Sequence, residues 1–211
     1  MAVMTTRNHP VRCISKTLAM LIVAALPGLC VAQTKPSAVE QLTKIRIEII
    51  PERLTQYAAQ GDLVTVNLLI DAGLRVNSAD PIRKATALHN ASAQGHLRIV
   101  ARLLELGADI DARDWHGVTP LIAAVYAGHT SIVQALLQKG ADVNVVPEKA
   151  PTALIAAIQT GKLALVDMLL AANAKPAMPD GVGQTPLSAA KLATRHDIVG
   201  RIEAALSLRP Q

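Results

Sequence analysis

The stretch Asp114-Trp115-His116-Gly117-Val118-Thr119-Pro120-Leu121 decides the fold, because its landmarks return at a fixed interval. Its Thr119-Pro120-Leu121-Ile122 tetrad has counterparts in Thr86-Ala87-Leu88-His89, Thr152-Ala153-Leu154-Ile155 and Thr185-Pro186-Leu187-Ser188, each 33 residues from the next. Gly95, Gly128 and Gly161 keep the same interval, as do Leu103-Leu104, Leu136-Leu137 and Leu169-Leu170. Gly107-Ala108-Asp109 and Gly140-Ala141-Asp142 close two of the units. Several independent landmarks in one register imply a stacked array, in which each unit packs only on its neighbours.

Each landmark has a physical reason. A threonine hydroxyl accepts from a free N–H of the first helical turn, and proline suits the position after it. The spacing predicts a helix from Pro120 to Ala127, stopped by Gly128 in the left-handed conformation. A second helix follows over His129 to Lys139, where Ile132, Val133, Leu136 and Leu137 form one apolar stripe. Gly140 ends it, and Asn173 stands in for this glycine one unit later.

The unit from Asp114 to Leu121, continuing to Gly140-Ala141-Asp142-Val143-Asn144, resembles the ankyrin repeat. The resemblance covers roughly residues 51 to 206. It implies an all-α solenoid of helix-turn-helix repeats joined by hairpin loops, with units over 51–80, 81–113, 114–146, 147–179 and 180–211. The first lacks the Thr-Pro-Leu signature but keeps Gly61, Leu69-Ile70 and Gly73. The last has Thr194 in place of a glycine and Glu203 in place of a leucine. Such a polar outer face suits a terminal capping repeat. Within the leader 33–50, Ala38 to Ile50 is expected to form a capping helix, although Lys44-Ile45-Arg46-Ile47-Glu48 alternates like a strand.

The 211-residue chain has no Phe, one Trp and two Tyr, so its core must be built from Leu, Ile, Val and Ala on closely spaced helices. Residues 1–32 follow a different pattern. Arg7, Arg12 and Lys16 precede an apolar run from Leu18 to Leu26, then Pro27-Gly28 and Cys30-Val31-Ala32. This is the order of a secretory signal peptide cleaved after Ala32, and the run is short for a membrane span of about 20 residues. An uncleaved anchor and a lipid on Cys30 are the alternatives; Leu29 before Cys30 argues against the lipid. Cleavage would remove both cysteines, Cys13 and Cys30. It would also leave 18 basic residues against 16 acidic ones, where the whole chain carries 21 against 16. The overall basicity is therefore weak support for nucleic-acid binding, and none is expected.

Catalytic motifs do not emerge. His96 and His129 occupy the Gly-His position usual in ankyrin repeats. The resemblance assigns His89 a hydrogen-bonding role within and between repeats. His9 lies in the signal, His116 on a loop tip and His196 in the last unit, with no ligand-like spacing for a metal. Gly181-Val182-Gly183-Gln184-Thr185 lacks the Gly-Lys-Ser/Thr ending of a phosphate loop and reads as the turn leading to the Thr185 cap. Asp109, Asp111 and Asp114 lie together on a repeat turn, which is usually a solvated edge. The expectation is a protein that is not an enzyme and needs no cofactor.

Ankyrin-like stacks usually bind through the hairpin tips and the exposed side of the first helices, which together make a concave face. By register, the partner-binding candidates are Trp115, His116 and Tyr126 in the central unit, with Arg83, Gln94 and Arg113 before them and Lys149 and Gln159 after. Trp115 is the sole tryptophan and sits on the middle tip, and interface hot spots favour Trp, Tyr and Arg. The alternatives are that Trp115 folds over its own hairpin and that Tyr126 packs between helices. The chain is therefore expected to be a monomeric, periplasmic or secreted module for a protein partner. Similar proteins occur in Gram-negative envelopes, some associated with oxidative-stress enzymes such as catalases. A secreted effector or toxin-neutralising protein would present the same surface.

Overall fold

A computed structural model describes residues 36–208, and the expected signal peptide lies outside them. A short helix, α1 (Ala38–Lys44), precedes five helix pairs. The pairs are α2 (Pro51–Gln60) with α3 (Leu63–Asp71), α4 (Ala87–Gln94) with α5 (Leu97–Glu105), and α6 (Pro120–Ala127) with α7 (Thr130–Gln138). α8 (Ala153–Thr160) with α9 (Leu163–Ala171), and α10 (Pro186–Leu192) with α11 (His196–Leu208), complete the series. First helices pack side by side in chain order, second helices do the same, and α1 lies on α3. The described residues contain no strand beyond one isolated bridge, Ala79 with Thr86. None of their helices is long and apolar enough to cross a membrane.

Local chemistry sets these boundaries as expected. Thr86, Thr119, Thr152 and Thr185 each accept the backbone N–H three residues on. Gly61, Gly95, Gly128 and Gly161 end the first helices with positive φ. Leu88, Leu121 and Leu154, with Leu103, Leu136 and Leu169 from the second helices, form one buried aliphatic core. Asn173 takes the expected left-handed turn, φ 68°.

The leader departs from expectation. Its helix stops at Lys44 instead of reaching Ile50, and no strand forms over Lys44 to Glu48. Arg46 turns left-handed at φ 58°, and Ile50 is held extended by the proline that follows it. The true start of the stack is therefore α2. Tyr57 stands where later first helices have Ala91, Ala124, Ala157 and Ala190, and packs against the core. Among the described residues no repeat precedes this one.

Polar bonds tie each repeat to the previous one at a recurring place. Nε2 of His96 and of His129 lie 2.9 and 3.2 Å from the carbonyls of Ala59 and Ala93. Lys162 Nζ donates to Gly128 O at 3.1 Å and Arg195 Nη1 to Gly161 O at 3.5 Å, two register positions later. All four donors meet the carbonyl end of a first helix, where the helix dipole favours positive charge.

Candidate functional site

The hairpin tips form a continuous edge. In three of them an aspartate builds the turn by accepting two backbone N–H groups on one oxygen. Asp80 Oδ1 takes Ile82 and Arg83, Asp114 Oδ1 takes His116 and Val118, and Asp180 Oδ1 takes Val182 and Gln184. The Asp80 turn is one residue longer than the others, and Lys84 fills at φ 55° the left-handed place of Gly117 and Gly183.

Neighbouring tips are fastened together. Trp115 N donates to Arg83 O at 2.9 Å, and Arg113 Nη1 reaches Val146 O at 3.5 Å. A Cβ on Gly117 would come within 3.2 Å of Pro147, and one on Gly181 within 2.5 Å of Pro147 O. Only glycine fits that closely at Gly181, where the other tips carry Ile82, Trp115 and Glu148. The edge is thus held in shape before anything binds, which lowers the ordering cost of association.

Of the residues expected at the site, Arg83, Arg113, Trp115 and Lys149 lie exposed on the tips. Trp115 is 59% exposed while its ring sits 4.4 Å from that of His116, tilted by 58°. It therefore leans on its own hairpin and still presents a face to solvent. His116 is only half-buried, yet its Nδ1 is enclosed and has no hydrogen-bond partner. Tyr126 and Gln159 hold the same register position on α6 and α8, and both are exposed. Partial burial raises the Tyr126 hydroxyl pKa above its usual value, and the charge of Asp180 raises it further. Gln94 is exposed at the end of α4, one register position beyond.

The most exposed apolar groups near this edge are Ile82 and Val182, each 80% exposed, and Leu192 at the Tyr126 register. Among the described residues no group of three His, Cys, Asp or Glu side chains could hold a metal. His89 is buried in a structural network with Thr86 and the Val118 carbonyl.

Comparison with known proteins agrees with this geometry. Residues 54–147 match the model described as ankyrin repeats, three copies. A serine/threonine-protein kinase 12 of Arabidopsis thaliana is 39% identical over 74 residues, covering 35% of this chain and 16% of that protein. Ankyrin repeat domain-containing protein 40 of Mus musculus is 37% identical over 70 residues, covering 33% and 19%. A 2-5A-dependent ribonuclease of Mus musculus is 36% identical over 89 residues, covering 42% and 12%. The chain therefore spans less than a fifth of the length of these relatives.

Proposed function

We propose, from the premise that this chain belongs to the ankyrin-repeat family, that it is an exported module whose hairpin tips and first-helix face hold a protein partner. Ankyrin repeats are protein–protein interaction modules; residues 54–147 match three of them, within five helix pairs that follow one short helix. The observation that carries the reading is Trp115, the only tryptophan, 59% exposed at the middle of a tip edge fastened on both sides. A fixed aromatic near the centre of a patch is the usual form of an interface anchor. Export to the periplasm or beyond rests on the charged, apolar and small-residue order of residues 1–32. An envelope enzyme of oxidative stress is the partner class we favour, on the resemblance to envelope proteins of this type.

Two experiments test this. Residues 1–33 fused to a phosphatase active only outside the cytoplasm should give active enzyme, and an inactive fusion would remove export. Capture from envelope extract should yield a partner with the wild type that Trp115→Ala loses. Equal capture by both proteins would move the site off this edge.

A further inference from the structure

The tip edge carries a chemical bias that points to one class of partner. Arg83, Lys84, Arg113 and Lys149 are all exposed, and they lie on three consecutive tips. The ion pairs among the described residues are Arg102 with Glu105 and Arg201 with Asp167, so none of the four tip cations is in one. Glu148 is the exposed acidic residue of these tips, and Asp109 is exposed on the loop before Asp114. The turn aspartates Asp80 and Asp114 each have an oxygen committed to backbone N–H groups. Between the cations stand Ile82 and Trp115, one register position shared by adjacent tips and left open to solvent.

We propose that this edge binds an extended acidic segment of a protein, its carboxylates meeting Arg83, Lys84, Arg113 and Lys149 and one apolar side chain resting on Ile82 and Trp115. The inference rests on the protein-binding reading above and narrows it to a partner chemistry. Packed helices lie about 10 Å apart, so three tips span about 20 Å. An extended chain rises about 3.3 Å per residue, so about six residues cover that length. Exposed tip charges steer and select more than they tighten, while the tryptophan supplies the anchor.

Trp115 reports on its own site, since no other tryptophan contributes to emission. The probes are a peptide of about eight residues alternating glutamate and leucine, its lysine and glutamine counterparts, and a short oligothymidylate. The glutamate peptide should shift Trp115 emission to the blue, saturate, and weaken with added salt. Arg83→Glu combined with Lys149→Glu should weaken it about tenfold or more, with an unchanged melting curve showing an intact fold. Equal binding of the lysine or glutamine peptide would overturn the acidic preference and leave the protein-binding reading standing. Tighter binding of the oligothymidylate would overturn the proposal in favour of nucleic acid. No shift with any peptide would overturn the acidic segment, and the broader reading would fall only if Trp115-dependent capture failed as well.

Discussion

The imidazole of His89 donates through Nε2 to the carbonyl of Val118, 3.0 Å away in the next repeat. The tautomer follows from the other nitrogen, because Nδ1 accepts the backbone N–H of Thr86 at 3.1 Å. A second proton would therefore face a donor inside a buried site. Burial, as the largest cause, holds the His89 pKa below its ordinary value of 6.5, with the Val118 carbonyl and Asp114 opposing it in part.

Between the folded and unfolded pKa values, the unfolded chain binds the extra proton, so stability rises with pH there. The His89 contribution is complete above about pH 6.5 and is lost as pH falls below it. Thermal melts from pH 8 to pH 5 should show a falling midpoint. The decline should be shallower in His89→Ile, which copies Ile122 and Ile155 at the same register. Parallel curves for the two proteins would remove His89 as the cause.

Ser92 is fully buried and its hydroxyl has no partner. The same register holds Ala58, Val125 and Ile158 in α2, α6 and α8. Ser92→Ala should raise stability by about 1 kcal/mol, because an unpaired buried hydroxyl is replaced without adding volume. Urea unfolding measures it, and a loss of stability would mean that the hydroxyl is bonded.

Thr194 occupies the left-handed place that glycine takes in the earlier repeats, at φ 53°. A β-branched residue is strained there. Thr194→Gly should stabilise the last repeat by about 1 kcal/mol. Hydrogen exchange in α10 and α11 should slow, and unchanged exchange would show that the strain is not felt locally.

Gly181 separates sterics from backbone strain. A Cβ there would strike Pro147 O, whereas Gly183 has open space but φ 86°. Gly181→Ala should destabilise by about 1–3 kcal/mol and loosen the edge near Lys149, since crowding a packed contact carries that cost. Gly183→Ala should cost about 1 kcal/mol from strain alone. Calorimetry on the two variants decides between them; equal losses would mean the Pro147 contact yields freely.

The repeats were legible because each landmark acts locally. Thr119, Pro120 and Gly128 bound α6 within a span of ten residues, and Ile132, Val133 and Leu136 mark the buried face of α7 by spacing alone. The leader was not, because its helix ends at Lys44 and Arg46 turns left-handed although the apolar pattern continues. Lys162 and Arg195 read as ordinary surface cations, although they extend the His96 and His129 bonds to carbonyls 34 residues earlier. At the candidate site, register put Trp115 on a hairpin tip and Tyr126 on a first helix, where both lie. The lean of Trp115 on its neighbour His116 was among the placements the sequence left open. The fastening of the tips depends on packing between repeats, which no local pattern encodes.

The most direct test of the central claim is amide hydrogen exchange on the chain with and without its captured partner. The account predicts slowed exchange at Ile82 to Lys84, Trp115 to Gly117 and Glu148 to Ala150, with the second-helix surfaces of α5 and α7 unchanged. Protection confined to those second helices, or spread over neither face, would contradict it.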